Sequence, residues 1–297
     1  MLRIGIDLGG TKTEAAVMDA AGRLLVRERI ATPRDYAGTI DAIAEIIDDL
    51  EGRHGPARIG LGHPGSISPK TGNMRNANSV WLNGSPFKTD LEARLGREVR
   101  MANDADCFAL SEARNGAGAG ESVVFGVILG TGVGGGIVIN GQLLTGAQHI
   151  AGEWGHNALP WPKPGELPGT TCWCGQSGCI ETWLSGPGMA REHAERTGIA
   201  REPRDILAAS DAASRDSRGR YIDRLTRALA SVVNIIDPDV IVLGGGLSNT
   251  QDLPQKVEEG LPRYVFSDIL ETRVRRHMHG DSSGVRGAAW LWPAAPE

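Results

Sequence analysis

Four side chains within one stretch of the chain have the makings of a metal site. Cys172, Cys174 and Cys179 fall within eight residues, and His156 lies sixteen residues before the first of them. Three thiolates and one imidazole form a closed four-ligand Zn²⁺ set of the structural kind. The Cys-x-Cys step is tighter than the commonest finger spacing, so this is not a standard zinc finger. A disulfide would leave one clustered cysteine odd, and free structural thiols are the plainest alternative; the clustering favours metal. With every ligand supplied by protein, the ion has no open position and should organise a loop rather than act as a Lewis acid.

Glycine turns carry the second kind of chemistry. Asp7-Leu8-Gly9-Gly10-Thr11-Lys12 follows an apolar strand. Glycines there let backbone N–H groups approach phosphate, Thr11 and Lys12 add a hydroxyl and a cation, and Asp7 could hold Mg²⁺. A hairpin turn that needs glycine only for positive φ is the alternative. Gly130-Thr131-Gly132-Val133-Gly134-Gly135-Gly136 formally satisfies G-x-G-x-x-G. That fingerprint must open a helix, whereas this run leads into an apolar strand closing at Asn140-Gly141, so a dinucleotide site is rejected. Gly244-Gly245-Gly246, after Val240–Leu243, is either a backbone surface beside a nucleotide or a tight strand-to-helix turn.

Asn103-Asp104 stands where a strand, Val99–Met101, gives way to a helix, Asp104–Ala113. An N-cap is the ordinary role for such a pair. A carboxylate at the C-terminal edge of a strand can also take the proton of a hydroxyl nucleophile. Asn76, Asn78 and Asn83 in one loop, with Glu153, His156 and Glu181 around the cysteines, suit a polyhydroxylated ligand, although Asn-rich loops are often only turns.

The elements that must position these residues alternate as strand and helix, which points to an α/β fold. Ile4–Thr11 lines up with Phe125–Gly132 at a constant offset of 121, each an apolar strand meeting a glycine turn and continuing into a second strand. Two related α/β halves follow, 1–117 and 118–282, with a terminal helix in 283–297 docking on the first. A long helix over Arg218–Ile236 carries Ile222, Leu225, Leu229 and Val233 on one face and stops at Asp237-Pro238. In 297 residues the net charge is −5 without a long basic run, which disfavours a sequence-independent grip on nucleic acid. Apolar runs are strand-sized and the N-terminus lacks the form of a signal peptide, so a soluble cytoplasmic protein off the membrane is expected. Glycine, at 41 residues, is about twice ordinary usage without a collagen-like period.

The Asp7–Lys12 turn, Asn103-Asp104, the Gly130–Gly136 run, Glu153-x-x-His156 and Cys172-x-Cys174-Gly-Gln-Ser-Gly-Cys179-Ile-Glu181 together resemble the ROK family. That family comprises sugar kinases and sugar-responsive repressors on the actin/hexokinase/Hsp70-like (ribonuclease H-like) fold, and the likeness spans essentially the whole chain. Pro33-Arg34-Asp35, 76–84, 155–161 and 279–287 look closest to the bacterial fructokinases (manno(fructo)kinases), with N-acetylglucosamine kinase and glucokinase as the alternatives. The resemblance implies an ATP-dependent phosphotransferase acting on the 6-hydroxyl of a hexose held in a cleft between the halves. It implies that Asp104 is the general base, and that Asn78, Asn103, Glu153, His156 and Glu181 bind sugar hydroxyls. Asp7, Gly9, Gly10, Thr11, Lys12, Gly130, Thr131, Gly132, Gly134, Gly244 and Gly245 would surround ATP and Mg²⁺, with Zn²⁺ on His156 and the three cysteines. A homodimer is expected. A repressor needs a helix-turn-helix ahead of the first turn, and only six residues precede Asp7. His63 departs from the family pattern, which usually has an apolar residue before Pro64-Gly65, and bears on substrate preference.

Overall fold

The structure, a computed structural model, describes residues 1–250 and 252–293. In chain order its elements are β1 (Leu2–Leu8), β2 (Lys12–Met18), β3 (Leu24–Ala31), α1 (Tyr36–His54), β4 (Ala57–His63), the short β5 (Ser66–Ile67) and β6 (Met74–Arg75), α2 (Phe87–Leu95), β7 (Val99–Asn103) and α3 (Asp104–Asn115). There follow β8 (Val123–Leu129), β9 (Val133–Ile139), the short β10 (Gln142–Leu143), α4 (Ile180–Leu184), α5 (Gly186–Thr197), α6 (Pro203–Ala208), α7 (Ala212–Ile236), β11 (Val240–Gly244), α8 (Leu253–Gly260), β12 (Arg273–Arg276) and α9 (Ser283–Trp290). The chain forms two compact units: residues 1–119, 141–151 and from His279 on in the first, 120–140 and 152–278 in the second.

The first unit carries a sheet in the order β3-β2-β1-β4-β7, antiparallel across β3, β2 and β1 and parallel from β1 to β7. In the second, β9, β8, β11 and β12 follow the same plan. The 121-residue repeat reproduces the strand bounds, since β1 and β2 map onto β8 and β9 residue for residue. The register does not repeat. Leu8 pairs with Thr13 across four intervening residues, whereas Leu129 pairs with Val133 across three. Gly134, Gly135 and Gly136 therefore lie inside β9, and only 130–132 form the turn.

Each unit has its own core. Ile4 and Ile6 of β1 pack with Ile43, Ile47 and Leu50 of α1 and Leu61 of β4. The helix α1 is capped by Asp35, whose side chain accepts from the Gly38 N–H at 2.7 Å. In the second unit Phe125 and Val127 meet Leu225, Leu229 and Val233 of α7, with Ile241 and Leu243 of β11. Helix α7 starts at Ala212, six residues before the sequence expectation, because Asp211 caps the Ser214 N–H in a stretch without apolar periodicity.

Helix α9 lies on the backbone of the first unit's sheet. A Cβ on Gly5 would stand 1.9 Å from the Val285 carbonyl oxygen, and one on Gly60 1.8 Å from that of Ala288. Part of the glycine excess therefore serves close helix packing and not phosphate turns. Residues 294–297 of the expected terminal segment lie outside the described residues. Among the described residues, no helix is long and apolar enough to cross a membrane.

Candidate active site

In the first unit the turn after β1 opens onto a cavity of about 290 Å³ lined by Asp7, Gly9, Thr11, Lys12, Glu14, Arg29 and Asp281. The turn is pinned from just beyond β3: Thr32 donates from its N–H to the Thr11 carbonyl at 3.1 Å, and its hydroxyl donates to the Gly9 carbonyl at 2.8 Å. Asp7, next to last in β1, lies against the first turn of α9, where a side chain on Gly284 would meet its Oδ2 at 2.3 Å. Burial raises its carboxyl to about 7, the charges of Asp104 and Glu14 add to the rise, and Lys12 and Arg27 oppose it. Glu14, Arg29 and Asp281 were missed from sequence. The signal was present as alternating charge, Lys12 and Glu14 on β2 and Arg27 and Arg29 on β3, with Glu14 opposite Arg29 in the register.

Asp104 is the first residue of α3 and is exposed, close enough to Asp7 to raise its carboxyl. Asn103 is the N-cap: its Oδ1 accepts from the Ala105 N–H at 2.8 Å and its Nδ2 donates to the Gly65 carbonyl at 2.9 Å. One amide hydrogen is left for a ligand. Asn78 is exposed on a loop closed by Asn83, whose amide donates to the Ala77 carbonyl and accepts from the Ala77 N–H, both at 2.9 Å. The buried hydroxyl of Ser79, next in sequence, lies 3.4 Å from where a Cβ on Gly10 would stand. His63 ends β4 opposite Asn103 and is 2% exposed. Burial lowers its imidazole to about 4, so the ring is neutral at pH 7.

In the second unit the turn is uncharged. The Gly130 N–H donates to the Gly132 carbonyl at 3.0 Å, and the Gly130 carbonyl accepts from the Gly186 N–H at 2.7 Å. Thr131 is exposed at its tip. Glu181, on α4, reaches the turn: its Oε2 accepts from the Val133 N–H at 3.0 Å, and a Cβ on Gly132 would stand 2.8 Å from the same oxygen. Gly245, at φ 80°, packs against the end of β8, where a Cβ would be 2.4 Å from the Leu129 carbonyl oxygen; Gly244 is the last residue of β11. Gly135 is needed because Trp154 would stand 2.8 Å from its Cβ. Glu153 shares its surroundings with His156 and Glu181. Burial raises its carboxyl, His156 opposes that, and the charge of Glu181 adds to it.

The cysteines and His156 come together. Their ligand atoms lie within 4.8 Å of one another, with Cys172 Sγ 3.6 Å from His156 Nδ1 and Cys174 Sγ 3.6 Å from Cys179 Sγ. Tetrahedral Zn²⁺ with bonds of about 2.3 Å to sulfur and 2.0–2.1 Å to nitrogen needs ligand separations of roughly 3.5–3.8 Å. The donor set and its spacing therefore fit a metal ion. Without one, burial raises the thiols of Cys172 and Cys179, while the Gln176 backbone amide lowers that of Cys174.

The loop before these cysteines has a second anchor. Glu166, 6% exposed, accepts from Arg224 at 2.8 Å and from Arg227 at 2.9 and 3.0 Å. Arg227, fully buried on α7, also donates to the Pro160 and Trp161 carbonyls at 2.9 and 2.8 Å. A buried ion pair left with one partner is strongly destabilising, so this arm is tied to α7 through bonds that involve no metal ligand. The metal expected to organise this loop is therefore not the sole tie on its first arm.

The ROK family model matches residues 3–295. The N-acetyl-D-glucosamine kinase of Escherichia coli O127:H6 (strain E2348/69 / EPEC) is 40% identical over 296 residues, covering 97% of this chain and 98% of its own. A ROK hexokinase structure from Thermus thermophilus superposes with a TM-score of 0.86 at 32% identity, over 98% of this chain and 97% of that one. A ROK glucokinase from Streptomyces griseus, in complex with glucose and AMPPNP, gives 0.79 at 30% identity, over 98% and 99%. The chain belongs to the ROK family, with the actin/hexokinase-like fold of its kinases. It is a sugar kinase of that family; the relatives are named as N-acetyl-D-glucosamine kinase, hexokinase and glucokinase, and none of them as the fructokinase expected from sequence.

Proposed function

We propose that this sugar kinase transfers the γ-phosphoryl group of ATP to the 6-hydroxyl of a hexose, with N-acetyl-D-glucosamine the favoured acceptor and glucose the next. The identity of 40% to N-acetyl-D-glucosamine kinase along 97% of the chain carries this preference. The glucose and AMPPNP held by the Streptomyces griseus relative support the two substrate classes. Fructose, favoured by the motifs around 76–84, is the competing acceptor.

In this reading Asp104 accepts the proton of the 6-hydroxyl as its oxygen bonds to the γ-phosphorus and the bond to the β-phosphate oxygen breaks, releasing ADP. Asn78, Asn103, Glu153, His156 and Glu181 hold the sugar hydroxyls. Asp7, Gly9, Gly10, Thr11 and Lys12, with Gly130, Thr131, Gly132, Gly134, Gly244 and Gly245, contact ATP, and Asp7 takes the Mg²⁺ side of the phosphates. Mg²⁺ supplies charge neutralisation on the transferring phosphoryl group. Lys12 and the turn N–H groups orient the phosphates. His156, Cys172, Cys174 and Cys179 would hold Zn²⁺, which would keep the loop in place.

A coupled ADP-release assay with ATP and Mg²⁺ tests the reading against N-acetyl-D-glucosamine, glucose, fructose and mannose. The highest kcat/KM is expected for N-acetyl-D-glucosamine. Fructose leading by tenfold or more would overturn the preference, and ADP release indifferent to all four sugars would overturn the reaction.

A further inference from the structure

We propose that Trp173 is a positioning residue for the hexose, because its indole N–H fixes the carboxylate of Glu181. The inference rests on the reading in which Glu181 binds a sugar hydroxyl. Trp173 stands between two candidate metal ligands, Cys172 and Cys174, and is 66% exposed. An indole so placed loses contact with any core, yet it has two defined neighbours. Its Nε1–H donates to Glu181 Oε1 at 2.7 Å, and its ring meets the His156 imidazole edge-on, with centroids 4.8 Å apart and planes at 89°.

The other oxygen of Glu181 accepts from the Val133 N–H at 3.0 Å. The carboxylate is thus held from both sides, by the cysteine loop on one oxygen and by the start of β9 on the other. Cys172 Sγ also lies 3.9 Å from Oε1, so Oε2 is the oxygen that keeps a lone pair for a hydroxyl donor. Held this way, a carboxylate meets its ligand without losing rotamer freedom at that moment, which raises affinity for the bound group. Trp173 passes the order of the metal loop to Glu181: the cysteines on either side of it set the indole, and the indole sets the carboxylate. A phenylalanine at 173 would keep the edge-on contact with His156 and lose the N–H.

The test compares wild type with Trp173→Phe, measuring Zn²⁺ content, Tm, and KM and kcat for N-acetyl-D-glucosamine. The variant is expected to keep its metal and Tm, to raise KM roughly five- to tenfold, the net size of one ordinary hydrogen bond, and to change kcat less than about twofold. In a Glu181→Gln background the same substitution should add little, since the acceptor charge has gone. Hexose-induced quenching of tryptophan fluorescence should shrink in the variant. A wild type that phosphorylates hexoses beside a Trp173→Phe variant of unchanged KM overturns this inference alone. Loss of Zn²⁺ or folding in Trp173→Phe also overturns it, since the role would then be structural. A wild type that neither binds nor phosphorylates any hexose overturns it together with the reading beneath it.

Discussion

The two glycine turns descend from one pattern and have diverged in charge and register. Asp7, Lys12 and Glu14 of the first unit correspond, 121 residues on, to Ile128, Val133 and Gly135 of the second. The first turn lines a cavity with acids and bases of both signs. The second has no ionisable side chain of its own and is reached by the carboxylate of Glu181 from α4. One residue more between the paired ends of the first hairpin separates them in register, and a shift of one residue reverses which face each following side chain takes. The same backbone device can thus serve two tasks: a charged turn suited to phosphate and Mg²⁺, and a neutral turn that offers N–H groups and fixes the carboxylate of Glu181, the proposed sugar ligand.

The contrast is broken most severely at Asp104, the proposed general base, which stands on the charged side. Asp104→Asn should lower kcat by about 10³, within the range for a general base, with Zn²⁺ content and Tm unchanged; steady-state kinetics that keep more than a tenth of kcat would refute its role. Metal removal strikes the neutral side next. Chelation should raise hexose KM by more than tenfold while 160–166, anchored by Arg224 and Arg227, keeps slow amide exchange and only 169–179 loses it. Exchange that accelerates equally across both arms would show that the metal holds the whole loop.

A pair of substitutions then weighs the turns against each other. Gly132→Ala places a Cβ 2.8 Å from Glu181 Oε2 and should raise hexose KM roughly tenfold, whereas Gly10→Ala, with Ser79 Oγ at 3.4 Å, should change it less than about twofold. Equal effects would remove the distinction. The smallest effect concerns stability. The folded-state carboxyl of Asp7 is raised from 3.8 to about 7, so the folded state binds more protons and loses stability as pH rises from about 4 to about 7. Without Mg²⁺, Asp7→Asn should raise Tm by about 2–4 °C at pH 8 and leave it unchanged at pH 4. A gain of equal size at both values would place the effect elsewhere.

Local sequence carried much of this. The cysteine spacing and His156 converge as a four-ligand set, and the 121-residue repeat reproduces four strand bounds. Registers and distant packing were hidden, because they depend on partners far along the chain. Nothing near Gly5 or Gly60 announces that α9 will rest on their backbone. Glu166 reads as a surface acid in a Pro-rich loop until Arg224 and Arg227, some sixty residues on, are found beneath it. Arg29 and Glu14 were legible only once β2 and β3 were known to pair in register.

The central claim, that this chain phosphorylates a hexose hydroxyl, is met most directly by following the phosphorus. Enzyme, ATP, Mg²⁺ and N-acetyl-D-glucosamine, observed by ³¹P NMR, should yield one phosphomonoester signal coupled to the C6 protons for each ADP formed. ADP appearing with inorganic phosphate and no sugar phosphate would contradict it.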